Sequence, residues 1–279
     1  MTSDAFPAQP HTVEPRTAES RSAVVTGAAR GIGRAVAASL VREGYAVVLT
    51  DLDADAVRRT AEEVGAVAGV VQDVREEDSH RRVAEEAGRH GRLAVWVNNA
   101  GVGFDGTLEE VTSAQVETLV DVNLKGVLWG MRAALAAFGP AGGDVVNVAS
   151  ASGLGPVQGL AVYAATKAAV VSVTMSASAE ARDGVRVHCV CPDGVDTEMV
   201  AAMKPDGTAK ALVHSSGRLL SATEVADAVV AMIGSRRVVR TMPGWRGGLI
   251  RFGQLIPSQS AGTFAVFESL GRRVIRKRG

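Results

Sequence analysis

The chain has 279 residues, 47% hydrophobic and 22% charged, with 30 Lys and Arg offset by 30 Asp and Glu. This neutrality argues against nucleic-acid binding, since no broad basic surface exists to displace counterions, and no apolar run approaches the ~20 residues of a bilayer span. With 31 glycines and only 4% aromatics, the interior is expected to be built from Val, Ala and Leu in one α/β domain.

Residues 1–20, rich in Pro, Thr, Ala and Glu, lack the apolar stretch of a secretory signal and are expected to form a flexible tail. From Ser22 the chain repeats a Val-rich run, a loop and a longer amphipathic segment. The runs fall at 23–26, 46–50, 68–71, 93–97, 144–149 and 185–191. Helical patterns lie between them near 31–43, 53–64, 76–90, 112–138 and 157–182. Continuous β-branched runs alternating with helices predict a doubly wound parallel sheet covered on both faces. Ligands then bind outside the carboxyl ends of the strands. Residues 21–241 are read as this one domain, and 242–279 as a helical, docked C-terminal extension. The two cysteines, Cys189 and Cys191, are read as small buried apolar residues on one strand, which fits a reducing cytoplasm.

The first strand runs into "TGAARGIG", with Gly27, Gly31 and Gly33 at a strand-to-helix turn. Missing β-carbons let such a backbone approach a pyrophosphate, and the helix N-terminus offers free N–H groups. Asp51 ends the second strand, where a carboxylate accepts ribose hydroxyls and repels a 2′-phosphate; Leu52 offers that phosphate no cation. NAD is therefore favoured over NADP, although Arg30 in the loop pulls the other way. A shared helix N-cap with Asp53 is the structural alternative for Asp51. Further on, "YAATK" sets Tyr163 and Lys167 on one helical face, one turn apart. Alone, that spacing fits an ordinary polar stripe as well as a catalyst. The five histidines, His11, His80, His90, His188 and His214, show no metal-ligand spacing.

Together "TGAARGIG", "DV" at 73–74, "NNAG" at 98–101, the asparagine of "DVNLKG", Ser150 and "YAATK" resemble the short-chain dehydrogenase/reductase family in its compact single-domain branch. The resemblance covers roughly residues 21–235. It implies that Tyr163 is the acid–base catalyst, that Lys167 lowers its pKa and holds the nicotinamide ribose, and that Ser150 holds the substrate oxygen. Ser152 is a possible understudy that better fits the family's small-residue position. Asn123 corresponds to the asparagine that kinks the long helix and supports a water chain, or else is a satisfied mid-helix polar residue. Cofactor contacts are implied for Arg30 and Ile32 in the glycine loop, for Asp73 and Val74 beside the adenine, and for Asn99, Ala100 and Gly101 near the ribose and nicotinamide. In "PDGVDT", Val195 and Thr197 match the residues that clamp the carboxamide, but Asp193 replaces a family glycine and leaves the backbone path there open. The usual Val-Asp-Gly-Gly ending is absent, which puts a tetramer interface in doubt and leaves a homodimer through the helices of 112–138 and 157–182.

These readings imply an NAD-dependent oxidoreductase acting on a secondary alcohol or its ketone. Leu154, Val157, Val195, Met199, Val200 and Met203 are expected around a hydrophobic substrate. A catalytically quiet, cofactor-sensing regulator is the alternative from another class, and a dehydratase or epimerase the alternative among enzymes. In residues 245–279 seven basic residues stand against the lone Glu268, a surplus of six. Phe264, Phe267, Leu270 and Val274 form an apolar stripe opposite Arg272, Arg273 and Arg276. Docking on the enzyme body or its dimer partner, so that the tail covers the substrate entrance or the dimer edge, is favoured for this helix over peripheral contact with an anionic membrane.

Overall fold

The computed structural model describes residues 20–254 and 260–276, so the expected N-terminal tail lies outside the described residues. Seven strands form one parallel sheet in the order β3-β2-β1-β4-β5-β6-β7. They are β1 (Arg21–Thr26), β2 (Ala46–Asp51), β3 (Ala68–Val71), β4 (Arg92–Asn98), β5 (Gly143–Val148), β6 (Val185–Pro192) and β7 (Val239–Met242). Six coincide with the Val-rich runs. The seventh forms without the family's usual ending, pairing with Cys189–Pro192 of β6.

Side chains alternate across a strand, so neighbouring valines enter opposite cores. Val25, Leu49 and Val97 pack under α1 (Gly31–Arg42), α2 (Ala54–Val64) and α9 (Ala222–Val230). Val24, Val48, Trp96, Val145 and Val187 face α3 (Glu77–Arg89), α5 (Gly126–Ala137) and α6 (Ala161–Glu180). Each fully buried valine or leucine stabilises the fold by about 1.5–3 kcal/mol. Asp53 caps α2, accepting from the Ala56 N–H at 3.0 Å, while Asp51 Oδ1 accepts from the Leu52 and Asp53 N–H groups just ahead of the helix at 2.8 and 3.3 Å.

The two long helices differ from their sequence patterns. The first is divided into α4 (Ser113–Val120), a π turn (Asp121–Lys125) and α5. The second starts at Ala161 rather than 157, because Gly159 takes φ +79°, outside the right-handed helical region. A 3₁₀ turn, Ala151–Leu154, precedes it. The smaller helices α7 (Glu198–Ala201) and α8 (Thr208–His214) follow β6, and α10 (Gly244–Gln254) and α11 (Ser260–Arg276) follow β7. Among the described residues, no helix is long and apolar enough to cross a membrane.

A buried polar seam joins the central strands. The Trp96 indole N–H donates to Asn98 Oδ1 at 2.8 Å, and Asn98 Nδ2 donates to Asn147 Oδ1 at 2.8 Å. Asn147 Nδ2 in turn donates to the Thr174 hydroxyl of α6 at 2.9 Å. Helix α5 crosses this seam at Gly130, where a β-carbon would stand 2.0 Å from Asn98 Oδ1.

Near the opposite end of the sheet, Asp144 accepts hydrogen bonds from Arg186, from His188 Nε2 at 2.9 Å and from the Gly234 N–H at 2.9 Å. Burial alone would raise its pKa, but these donors prevail and bring it from 3.8 to about 2. A depressed folded-state pKa adds stability above the unfolded value, and this is lost as pH falls through the folded one. Asp144 should therefore contribute about 2 kcal/mol above pH ~4, lost progressively toward pH ~2. Urea unfolding between neutral pH and pH ~2.5 should show this acid slope in wild type and a shallower one in Asp144→Asn.

Candidate active site

The carboxyl ends of the strands open onto a cavity of about 1590 Å³. Gly27 sits at its base with φ +62°, and a β-carbon there would lie 2.6 Å from Ala100 Cα. Only glycine lets the loops after β1 and β4 approach this closely. Asn99 Nδ2 closes the contact by donating to the Thr26 and Gly27 carbonyls at 3.0 and 2.8 Å. Gly31, at φ +56°, meets nothing nearer than Thr197 Cγ2 at 3.9 Å, so this part of the loop presents bare backbone to open space. Gly33 does not line the cavity; it is buried where a β-carbon would strike the Gly27 carbonyl at 2.3 Å, which lets α1 begin directly behind the loop. This cradle fits a pyrophosphate.

Asp51, Leu52, Asp73 and Val74 line the same side of the cavity. Asp51 Oδ2 accepts from the Ala29 N–H at 3.0 Å, tying the end of β2 to the glycine loop. Asp73 accepts from Nε and Nη2 of Arg75, and these hydrogen bonds hold its carboxyl below the ordinary value despite partial burial. Arg30 reaches across the mouth to Glu198 at 3.1 Å, an exposed pair. Ile32, Ala100, Gly101, Val195, Thr197 and Met199 also border the space.

The four residues expected to perform the chemistry come from the loop after β5, the π turn and α6, and they converge. Ser150 follows β5 and receives hydrogen bonds from the Ser152 N–H at 3.2 Å and the Ser152 hydroxyl at 2.7 Å. Lys167 is buried and donates from Nζ to the Val148 carbonyl at 3.0 Å, with Nζ 5.8 Å from the Tyr163 ring centroid. Asn123 lies in the π turn; its amide bonds both the N–H and the carbonyl of Val102 at 2.9 Å, and it reaches the Thr166 hydroxyl at 3.3 Å. A β-carbon on Gly101 would lie 3.3 Å from Asn123 Oδ1 and 3.5 Å from Lys167 Nζ, a tight but not forbidden fit that brings the backbone close to both groups.

The electrostatics differ from the sequence expectation for Tyr163. Burial pushes the phenol pKa above its ordinary 10, opposed by a hydrogen bond from Ser150. Burial also takes Lys167 down, from 10.5 to about 8. Desolvation thus disfavours the charged form of each group, and it outweighs any lowering of the phenol by the lysine.

Leu154, expected against the substrate, is 4% exposed and packs in the core beside α6. The 3₁₀ turn rotates it inward, leaving Pro156, Val157 and Leu160 on the cavity wall. Cys189 and Cys191 are free and buried, with sulfurs 3.7 Å apart. Sequence reasoning set the C-terminal extension over the substrate entrance or the dimer edge but did not name the residues it adds to the cavity wall, Arg246, Leu249, Ile250 and Phe267. No periodicity marked Arg246; the only signal was its partner Asp193, in a glycine's place. Asp193 Oδ2 stands 2.6 Å from Arg246 Nε, and the Asp193 N–H donates to the Met242 carbonyl at 2.8 Å. The backbone path needs no glycine there, because no non-glycine residue among those described has positive φ.

The apolar stripe of the last helix docks only in part. Phe267 meets the Arg246 guanidinium at 5.2 Å from its ring centroid, while Leu270 remains 42% exposed. The close contact is made by Gly271, where a β-carbon would stand 1.7 Å from the Ala211 carbonyl of α8. Arg272 turns to Glu268 at 2.7 Å instead of lying free in solvent. The Phe264 side chain, Lys277 and Arg278 lie outside what the structure describes.

A doubly wound parallel sheet with a glycine cradle at its switch point defines a dinucleotide-binding α/β protein. Residues 21–207 match the family model described as short chain dehydrogenase, and the chain belongs to that family of oxidoreductases. It is 39% identical over 185 residues to a sorbitol dehydrogenase of Cereibacter sphaeroides, covering 64% of this chain and 72% of that one. Other curated relatives, 32% identical over 256 residues, are longer, and the chain spans 43% of their length. Among solved structures, a short chain dehydrogenase/reductase from Burkholderia phymatum in complex with NAD superimposes with TM-score 0.76 at 28% identity, covering 87% of this chain and 95% of that one. A single-substitution variant of actinorhodin polyketide ketoreductase with NADPH gives 0.72 at 30%, covering 82% and 97%.

Gly27→Ala should weaken NADH binding at least ~10-fold, measured by fluorescence titration, because its methyl forces the two loops apart. The left-handed backbone alone should cost about 1–2 kcal/mol of stability.

Proposed function

We propose that the protein is an NAD-dependent dehydrogenase or reductase acting on a secondary alcohol or its ketone, with a bulky apolar body. The observation that carries this reading is the convergence of Ser150, Tyr163 and Lys167 on one cavity, with Asn123 fully buried behind them. Its remaining wall includes Val157, Leu160, Met199, Met203, Leu212 and Phe267. The residues present fit a nicotinamide dinucleotide, whose bare-backbone cradle is formed by Gly27 and Gly31 with Asp51 one strand away. When bound, that cofactor supplies or accepts the hydride.

The chain's own residues do the rest. Ser150 donates a hydrogen bond to the substrate oxygen and orients it. Tyr163 gives the proton to that oxygen in reduction and removes it in oxidation. Lys167, fixed by the Val148 carbonyl, favours the phenolate when charged and positions the ribose. Asn123 holds the Val102 backbone and the first turns of α6 in register with Lys167.

Asp51 supports NAD over NADP. Its carboxylate ends β2 on the cavity wall and would repel a 2′-phosphate, and 65%-exposed Leu52 supplies no cation. The two aligned structures hold NAD in one case and NADPH in the other, so the choice rests on this residue. A homodimer through α4–α5 and α6 is part of the proposal. The exposed residues of α6 include Ala161, Ala165, Ala168, Ser172, Met175 and Ala179, a nearly flat stripe suited to a second copy. The contact of α11 with α8 favours a docked extension over a membrane anchor.

Tyr163→Phe should lower kcat by ~100-fold or more while NADH affinity changes little, since the ring stays and only the transferable proton is lost. Retention of a tenth of wild-type activity would exclude Tyr163 as the acid–base group. Asp51→Ala combined with Leu52→Arg should shift the NADPH/NADH ratio of kcat/KM upward by at least ~10-fold. A wild-type enzyme that already prefers NADPH would overturn the role given to Asp51.

A further inference from the structure

Asp193 is the first residue beyond β6, and Arg246 lies in the first turn of α10, just beyond β7. The two strands are neighbours, with Pro192 opposite Met242, so both loops leave the sheet side by side at its ligand-binding edge. Their charges meet at 2.6 Å with side-chain exposures of 11% and 9%. The Nε–H is not aligned on the oxygen, so attraction between charges holds the contact, and it works against burial, which pushes the Asp193 carboxyl above its ordinary value. The same guanidinium donates from Nη2 to the Leu212 carbonyl at 3.2 Å and the Ser215 hydroxyl at 2.6 Å, beside α8. Its face also lies against the Phe267 ring of α11. One cation therefore ties α10, the β6 loop, the end of α8 and α11 together.

An ion pair taken out of water is a poor source of net stability, because desolvation cancels much of the attraction. It is, however, demanding about geometry, and removing either partner strands the other. What this geometry holds is specific. One turn beyond Arg246, Leu249 and Ile250 enter the cavity wall, and Phe267 joins them. Gly247 lets α10 seat tightly on β7, since a β-carbon there would stand 2.5 Å from the Thr241 hydroxyl oxygen.

We propose that the Asp193–Arg246 pair is a latch that fixes the C-terminal extension as the outer wall of the substrate cavity. Asp193 and Arg246 are then positioning residues that set the preference for bulky apolar substrates. The inference rests on the alcohol/ketone reading of the cavity, but the latch has a readout of its own. Loss of the pair frees the wall of α10 and α11 while leaving the glycine cradle and the Ser150–Tyr163 end in place. Small ketones, which do not reach that wall, lose little; large ones lose the surface that binds them.

The test is NADH-dependent reduction of 2-butanone and 2-decanone by wild type, Arg246→Met, Arg246→Lys and Phe267→Ala, with hydrogen exchange followed in residues 244–254. In Arg246→Met the 2-decanone/2-butanone ratio of kcat/KM should fall at least ~10-fold, mainly through KM for the large ketone. NADH affinity should stay within about twofold, and exchange in α10 should accelerate at least ~10-fold. Arg246→Lys keeps the charge but loses the fork, so it should fall between Met and wild type. Phe267→Ala keeps the pair and should lower the ratio without speeding exchange; it carries the size test if Arg246→Met does not fold, and Lys then carries the exchange test. An unchanged ratio in Met or Phe267→Ala, or unchanged exchange in both Arg246 variants, would overturn the latch. If wild type reduces neither ketone, the alcohol/ketone reading fails, and exchange alone decides whether the pair anchors the extension.

Discussion

The site depends on a hydrogen-bonded seam that runs beneath it, from Trp96 through Asn98 and Asn147 to Thr174. Buried amides are costly unless satisfied, so this chain tolerates very little sliding of its parts. It locks β4 to β5 in one register and β5 to α6 at one height. Asn99 leaves the seam on one side to brace the glycine loop, and Ser150 follows β5 on the other. Thr174 lies two helical turns beyond Lys167 on α6. The position of the lysine relative to the serine is therefore set by amides that never touch a ligand.

Close backbone approach is the second constraint, and glycine provides it where side chains cannot. Gly27 lets the β1 and β4 loops meet, Gly101 brings the backbone close to Asn123 and Lys167, and Gly130 lets α5 settle over Asn98. With the strands parallel, every one of their carboxyl ends faces the same edge. The cradle, the acid of β2 and the polar cluster of α6 thus share one cavity without any of them being adjacent in sequence. Burial then acts on the chemistry, holding Tyr163 neutral and bringing Lys167 to about 8. The site begins with both groups biased toward their uncharged forms, so a charge brought by a ligand has a large effect there.

The half of the cavity away from the glycine loop is built differently. Its wall comes from short helices and from an extension that crosses back over the β6 and β7 ends. Packing there is partial: Leu270 stays largely in solvent, and a small groove of Ser215, Gly217, Leu270 and Arg273 remains between α8 and α11. A wall seated on β7 and α8 at a few close contacts, with its outer face in solvent, can vary in shape without disturbing the sheet.

Local sequence determined the strands and the cradle. Val-rich runs have nowhere to go but a sheet covered on both faces, and a glycine cluster between strand and helix leaves the backbone open. The spacing of Tyr163 and Lys167 likewise needed only a helix to put both on one side. Tertiary structure decided the rest. Leu154 reads as a pocket residue until a 3₁₀ turn rotates it into the core, and the periodicity of 112–138 reads as one helix, with only the family resemblance pointing to a kink at Asn123, where the π turn forms. Asn147 and Thr174 show no signal at all, because a polar residue in an apolar run reveals its partner only after the strands pair. Asp193 and Arg246 are 53 positions apart in the chain. No local pattern connects them; they meet because β6 and β7 lie side by side, and a charge becomes informative only when burial removes the water that would otherwise screen it.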